Sequence, residues 1–234
     1  MRPESVPAGR PAERSRAEIT AAAVALADRE GLDAVTMRRV ATALGTGPAS
    51  LYRYVAARDE LLELMVDATA GEYELSPPSG DWLADLVAFA RQTRTVMHRH
   101  PWLVPLVSGR PNLGPRSLDL VEHVLAVLAG HPAAAGAKLQ AFALVNGIAA
   151  LFVQAELGGG GGPRDGRTLG QWQAAQAAYL RHVAAQGRHP HLARALAASP
   201  TEDLDPEVSF DRTVSRTMAG VLGPAAPGRE VPSP

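Results

Sequence analysis

The sequence is short of several residue types, and each shortage narrows the possible functions. It has no cysteine, which excludes a disulfide framework and any zinc or redox site built on thiolates. Lysine is nearly absent, because Lys138 is the single lysine among 23 basic residues. The formal net charge of −1 gives no overall attraction to nucleic acid or to a membrane surface. Arginine, which forms paired hydrogen bonds with phosphate, supplies the rest of the positive side-chain charge.

No segment resembles an export signal or a membrane span. Residues 1–14 are polar and proline-rich and lack the apolar stretch of a signal peptide. We therefore expect a disordered arm there, on a cytoplasmic protein. The longest apolar segment, residues 141–153, is too short to cross a bilayer. We expect no membrane partner and predict that this segment forms a core or interface helix.

Apolar residues recur at helical spacing along most of the chain, and no segment shows sustained alternation with a period of two. Ser15 and Glu18 form a capping-box pattern ahead of the first helix, and Gly31 is a typical residue for its end. Asp205 and Pro206 likewise predict the start of a last helix. The sequence therefore predicts an all-α protein.

A very short turn joins two short helices near the N-terminus. Gly45 closes the first helix, and Pro48 is suited to the first position of the second. Only Thr46 and Gly47 lie between them. This spacing is typical of a helix-turn-helix unit, whose second helix enters the major groove of DNA.

The second helix of this unit presents polar side chains. Leu51 and Val55 are four residues apart and should both face inward. Residues 10–58 contain eight arginines and five acids, and the positive end of a helix favours phosphate. Taken alone, these residues also fit a solvated face on an ordinary helical bundle. The side chains left on the outer faces are Ser50, Tyr52, Arg53 and Tyr54.

A break in the helical pattern divides the chain. Residues 76–80, Ser-Pro-Pro-Ser-Gly, interrupt the periodicity. We predict a helix-turn-helix DNA-binding domain over residues 15–75 and a larger antiparallel helical bundle over residues 80–222. The glycine run at residues 158–162 is not followed by the Lys-Ser/Thr pair of a phosphate loop, so we expect a flexible loop. Residues 223–234 are predicted to be a disordered tail.

Residues 35–65, VTMRRVATALGTGPASLYRYVAARDELLELM, resemble the DNA-binding domain of the TetR family of bacterial transcriptional regulators. The resemblance implies that Arg38 reaches a guanine edge and that Thr36 touches phosphate. It also implies that Arg58, the basic residue at the start of the fourth helix, lies against phosphate. Residues 47–50, Gly-Pro-Ala-Ser, carry no long side chain, so specificity should depend more on Arg38, Arg53 and DNA shape. The predicted DNA-binding residues are Thr36, Arg38, Gly47, Pro48, Ala49, Ser50, Tyr52, Arg53, Tyr54 and Arg58.

The C-terminal half resembles the ligand-binding half of the same family at HRHPWLVPLV and DPEVSFDRTVSRTMAGVLG. This implies a homodimer, for which residues 137–157 and 206–222 are the most apolar candidates. It also implies a palindromic operator in double-stranded DNA, an apolar small-molecule effector and no cofactor. The predicted ligand-binding residues are Phe89, Met97, Trp102, His123, Asn146 and Trp172.

Two other functions remain open from the sequence. One is a DNA-binding protein without a ligand response. The other is a metal-dependent enzyme that uses the pairs His98–His100 and His189–His191, although residues two apart on a helix point to different sides. No serine, histidine and aspartate set or carboxylate pair indicates catalysis, so we expect a regulator and no enzyme.

Overall fold

The structure is a computed structural model that describes residues 15–107, 114–158, 169–198 and 205–223. Within these ranges it contains α-helices, two short 3-10 turns (Leu32–Ala34 and Pro101–Leu103) and no β-strand. This confirms the predicted all-α class. The helices are α1 (Arg16–Glu30), α2 (Met37–Ala43), α3 (Pro48–Leu51), α4 (Arg58–Ala70), α5 (Trp82–Arg99), α6 (Val104–Val107), α7 (Pro115–Val127), α8 (Ala135–Gly158), α9 (Leu169–Ala185), α10 (Pro190–Ala198) and α11 (Pro206–Leu222).

Three predicted segments fall outside the described residues. They are the arm over residues 1–14, the loop over residues 159–162, and the tail beyond Gly223. The described residues form two compact units, which are considered separately below. The first contains the residues up to Pro77 with Thr95–Ala126, and the second contains Pro78–Arg94 and the residues from Val127 onward. The domain bounds at residues 75 and 80 stay a prediction.

Local capping determines where the first helix begins and ends. The Ser15 hydroxyl accepts from the Glu18 amide at 3.1 Å, and the Glu18 carboxylate accepts from the Ser15 amide at 2.9 Å. Gly31 ends the helix at φ +81°, and its amide donates to the Ala27 carbonyl. The last helix, α11, has its predicted cap as well, because the Asp205 carboxylate accepts from the Glu207 amide at 3.0 Å. These helix ends confirm the sequence prediction.

The first unit has an apolar core between α1, α3 and α4. Ile19, Leu51, Leu61 and Met65 are fully buried, as is Val55 just after α3. The predicted inward orientation of Leu51 and Val55 is thereby confirmed. Burying each such side chain contributes about 1.5–3 kcal/mol, so this core holds the short α3 although four residues alone cannot form a stable helix.

The C-terminal part of α4 holds the start of α7. The Asp67 carboxylate accepts a hydrogen bond from the Ser117 amide at 2.9 Å, so a side chain of one helix caps the N-terminus of another. The chain reaches this cap through Gly114, where a β-carbon would lie 2.2 Å from the Asp67 carboxylate oxygen. The close approach of the Asp67 side chain therefore favours glycine at position 114.

A buried polar cluster lies in the same unit. His100 is almost completely buried, with Nδ1 2.7 Å from the Asp28 carboxylate and Nε2 2.8 Å from that of Glu72. The Trp102 indole also donates to Asp28, at 2.6 Å. The cluster ties α1 and the end of α4 to the 3-10 turn that follows α5. The sequence singled out this histidine only as half of a possible metal-binding pair, whereas the structure gives it carboxylate neighbours on both sides.

In the second unit a buried arginine joins three helices. Arg94 of α5 donates to Glu156 of α8 at 2.6 Å and to Glu207 of α11 at 2.7 Å. Its guanidinium carbon lies 5.1 Å from the centre of the buried Phe210 ring. Burial acts to lower the pKa of Arg94, but its hydrogen bonds to the two glutamate carboxylates and their negative charges outweigh burial and raise that pKa. The ion cluster therefore holds α8 and α11 in register.

Helix α8 is longer than the apolar run that predicted it. It spans 24 residues, and among the described helices it is the one whose length and hydropathy are compatible with crossing a membrane. The core helix of a soluble protein passes the same test. Only 28% of its apolar window is buried inside the chain. Large apolar side chains remain exposed on α8 and at the start of α11, namely Leu139, Leu151, Leu157 and Val208.

Candidate nucleic-acid interface

Helix α2 begins at a threonine cap. The Thr36 hydroxyl accepts from the Arg39 amide at 3.2 Å, so this side chain is used to hold the first turn of the helix. Arg38 and Arg39 both follow on the exposed surface. Arg39 pairs with the Glu30 carboxylate of α1, whereas the Arg38 side chain has no ion pair within the described ranges. Arg38 is therefore available for an external partner.

The turn after α2 depends on glycine and proline. Gly45 has φ +65°, a left-handed conformation that ends a helix and that other residues rarely adopt. The Thr46 amide then returns to the Ala41 carbonyl at 2.9 Å. Gly47 is extended, and Pro48 occupies the first position of α3. The predicted two-residue turn is confirmed.

Hydroxyl groups hold the turn and α3 together. The Ser50 hydroxyl donates to the Gly47 carbonyl at 2.7 Å and lies 2.7 Å from the Thr46 hydroxyl. Because Ser50 donates to the carbonyl, the Thr46 hydroxyl is the donor of that second contact. Ser50 is half-buried. The hydroxyl that is predicted to face a base is therefore also used to hold the turn to α3.

Most of the other predicted DNA-binding residues lie on the surface. The Tyr52 side chain is 53% exposed, and Tyr54 is half-buried beside Arg53, whose guanidinium carbon lies 5.8 Å from the tyrosine ring centre. Aromatic and arginine side chains of this kind are common phosphate ligands. The predicted residues that the structure leaves exposed, on α2, in the turn, on α3 and just after it, are Arg38, Gly47, Pro48, Ala49, Tyr52 and Arg53.

Arg58 has internal partners that the sequence did not indicate. Its Nε donates to the Val35 carbonyl at 2.7 Å, and one terminal nitrogen donates to the Leu32 carbonyl at 3.1 Å. The predicted phosphate contact of Arg58 stays a prediction, and the structure adds that its side chain is held on the backbone ahead of α2. No sequence signal indicates this contact, because any arginine at the start of a helix has the same local pattern.

A second internal contact was also missed. Arg16 of α1 donates through Nε to the Tyr54 carbonyl at 2.6 Å and pairs with the Glu60 carboxylate. The other Glu60 oxygen accepts from the Ala56 amide at 2.6 Å. These contacts hold the segment just after α3, and they join residues far apart in sequence.

The predicted ligand-binding residues fall in both units. In the first, Met97 is fully buried, Trp102 donates to Asp28 and His123 is half-buried. In the second, Phe89 is buried, and its ring centre lies 6.2 Å from that of Phe142. The Asn146 side-chain amide donates to the Phe142 carbonyl at 2.9 Å. The Trp172 side chain lies outside the described part of the structure. The shared pocket stays a prediction.

The alternative of a metal centre finds no support in the described ranges, where no three histidine or carboxylate side chains are grouped to hold an ion. His98, His189 and His191 are exposed, and His100 lies between two carboxylates. The first unit instead has two short helices, joined through a left-handed glycine, with an exposed arginine beside them. These features define the helix-turn-helix class of DNA-binding proteins.

Comparison with known proteins identifies the family. Residues 76–223 match the family described as tetracyclin repressor-like, C-terminal domain. Residues 19–65 match the bacterial regulatory proteins of the tetR family. The chain belongs to the TetR family, as the sequence resemblance implied.

Two relatives and one solved structure illustrate the likeness. The transcriptional repressor DrrR1 of Streptomyces coeruleorubidus is 38% identical over 75% of this chain and 66% of its own length. A transcriptional regulator of Saccharopolyspora erythraea is 40% identical over 51% of this chain and 54% of its own. The chain therefore matches about half to two thirds of these relatives. ActR of Streptomyces coelicolor, solved in complex with actinorhodin, has a TM-score of 0.75 at 29% identity over 92% of this chain and 98% of ActR.

Proposed function

We propose that the protein is a cytoplasmic transcriptional repressor that binds a palindromic operator as a homodimer and responds to a small-molecule effector. The observation that carries this proposal is the exposed Arg38 beside a tightly turned α3. Arginine can form two hydrogen bonds to guanine O6 and N7 in the major groove. Pro48 and Ala49 add little bulk, so the start of α3 can approach the bases closely.

Dimerisation follows from the small size of the reading surface. One short recognition helix contacts too few base pairs for specific binding, whereas a two-fold dimer reads two half-sites about 34–36 Å apart or at a multiple of that spacing. The second unit offers a surface for such pairing. Leu139 and Leu151 on α8, with Val208 on α11, are large apolar side chains exposed in the single chain. Exposed apolar patches of this kind often mark protein interfaces.

The effector is proposed by analogy with ActR, which has been solved with actinorhodin bound. In this chain the effector would bind in the C-terminal half and favour a conformation in which the two recognition helices no longer match the half-site spacing. The size of the response is limited by the difference in effector affinity between the two conformations. A regulator without an effector is the alternative, and it predicts that no small molecule changes the affinity for DNA.

The experiment begins by selecting an operator from a randomised DNA pool. Arg38→Ala should lower affinity for the selected operator by about 1–3 kcal/mol per half-site and relax preference at one base pair in each. Arg39→Ala is the matched control, because its side chain is adjacent in sequence but paired with Glu30. Titrations on operator and scrambled DNA at several salt concentrations give the comparison. The proposed reading role is wrong if Arg38→Ala weakens both DNAs equally.

A further inference from the structure

The first turn of α4 is joined to the helix-turn-helix unit at two places. Arg58 reaches back to the Val35 and Leu32 carbonyls, at 2.7 and 3.1 Å. Glu60 accepts from the Ala56 amide at 2.6 Å and pairs with Arg16. The first contact lies just ahead of α2, and the second lies just after α3. Both ends of the reading surface are therefore fixed to the same turn of one helix.

The Arg58 contact lies immediately ahead of the start of α2. Val35 is fully buried and immediately precedes Thr36, the cap of α2. The Leu32 carbonyl already accepts from the Val35 amide at 3.1 Å, and Arg58 adds a charged donor to it. Hydrogen bonds from a guanidinium are stronger than neutral ones, and its rigid fork fixes both direction and distance. Because Arg38 lies two residues beyond Thr36, a shift at Val35 would be transmitted to Arg38.

The opposite contact holds the end of α3. Arg16 donates to the Tyr54 carbonyl at 2.6 Å, and its pairing with Glu60 connects this carbonyl to α4. The Arg16 side chain is 58% exposed, so the ion pair itself contributes little to stability. Its effect is to fix the position of the Tyr54 carbonyl relative to α4, since the carbonyl, the Arg16 guanidinium and the Glu60 carboxylate form a continuous chain of contacts.

We propose that Arg58 is a positioning residue for operator reading and that it acts through the Leu32 and Val35 carbonyls, not through DNA phosphate. The inference rests on the proposed function, because it presupposes sequence-specific DNA binding. Functional groups must be held within about 0.5 Å of productive geometry. Losing the Arg58 contact therefore weakens the base contact of Arg38 while leaving the positive surface that attracts any DNA.

Arg58→Lys is the variant that separates the two roles. Lysine keeps the charge and is a good phosphate ligand, but its single ammonium lacks the fixed fork that binds two carbonyls. We expect Arg58→Lys and Arg58→Ala each to lower operator affinity about five-fold or more, which is the lower end of what one base contact is worth. We also expect affinity for scrambled DNA to stay within about two-fold of wild type, with the salt dependence unchanged.

Arg53→Ala and Arg53→Lys are the matched controls, because Arg53 is an exposed arginine five residues earlier. If Arg53 binds phosphate, its alanine variant should weaken both DNAs and make the salt slope shallower by about one per contact, while its lysine variant stays close to wild type. If Arg58→Lys binds the operator like wild type while Arg58→Ala shows that shallower slope, Arg58 is a phosphate ligand and the positioning role is refuted.

Two further measurements complete the test. Circular dichroism at the titration temperature gives the folded fraction, and an affinity loss that merely follows that fraction on both DNAs refutes positioning. Amide hydrogen exchange without DNA should be faster at Val35 and Val40 in Arg58→Lys than in wild type, and unchanged exchange also refutes it. If wild type selects no operator, the proposed function fails and the positioning role falls with it, whereas faster exchange would still establish the contact itself.

Discussion

The helix-turn-helix unit and the α8–α11 pair expose opposite kinds of chemistry. In the first, polar groups fix the backbone from inside, and the exposed side chains include arginine and tyrosine. In the second, the arginine at the centre of an ion cluster, Arg94, is buried, and leucines such as Leu151 are exposed. A polar surface with a fixed backbone suits a charged partner of regular shape, whereas an exposed apolar surface suits a partner that can bury it. The difference supports the proposed assignment of DNA to the first region and of the dimer contact to the second.

The largest expected effect comes from placing a charge on the apolar surface. Leu151 is 64% exposed in the single chain, and in the proposed dimer Leu151→Asp would bury one unpaired carboxylate per protomer. Dimerisation should weaken by about 3 kcal/mol or more, as measured by sedimentation velocity over a range of concentrations.

Leu118→Asp is the control for this change. Leu118 is a leucine on α7 with 46% exposure, outside the proposed interface. Its substitution should leave the association unchanged. An unaltered dimer in Leu151→Asp, or a monomer in Leu118→Asp alone, would place the interface elsewhere.

A smaller effect is expected where α4 caps α7. Gly114→Ala would bring a β-carbon to 2.2 Å from the Asp67 carboxylate, forcing the cap to move. The free energy of unfolding should fall by about 1–3 kcal/mol in urea denaturation, the usual range for overpacking. In an Asp67→Ala background the same change should cost less, because the carboxylate is gone and only the β-carbon of residue 67, at 2.7 Å, still obstructs.

Gly130→Ala provides the comparison for the α7 cap. A β-carbon at Gly130 would meet no atom within 4 Å, so stability should change little. Equal losses at the two glycines would mean that the carboxylate contact does not determine the effect at position 114.

The smallest effect concerns the pair Arg91–Asp211 in the second unit. The hydrogen bond from Arg91 holds the pKa of Asp211 below its usual range. A depressed carboxyl pKa stabilises the fold above the unfolded value of about 3.9, and this contribution is lost as pH falls through the folded pKa. Because the Arg91 side chain is exposed and solvent screens the pair, the contribution should be about 0.5 kcal/mol or less.

Asp211→Asn tests that pH dependence. Its free energy of unfolding should lie below that of wild type at pH 6, and the difference should narrow below about pH 4. In an Arg91→Gln background, Asp211→Asn should no longer change the free energy of unfolding in a pH-dependent way, because the partner that lowers the pKa of Asp211 is gone. A gap between wild type and Asp211→Asn that stays constant across this pH range would contradict the assigned cause.

The features that the sequence predicted correctly are local ones. The capping box at Ser15, the turn at Gly45 and the start of α11 at Asp205 each depend on residues a few positions apart. The contacts that the sequence missed are distant, since Arg58 lies 23 residues from Val35 and Arg16 lies 38 residues from Tyr54. Those contacts depend on how the helices pack, and no spacing rule encodes them. The ligand pocket and the dimer contacts stay predictions for the same reason.

Arg58 and Arg16 fix the two ends of the reading surface by donating hydrogen bonds to main-chain carbonyls. Every amino acid carries such a carbonyl. Substitutions at Ala49, Tyr52 or Arg53 therefore leave those attachment points chemically intact. A gene duplicate could acquire a new operator by changing these side chains while inheriting the frame that orients them. The same property makes these three positions suitable for a designed library, with Arg58 and Glu60 kept fixed so that each member differs in what it reads and not in how it is held.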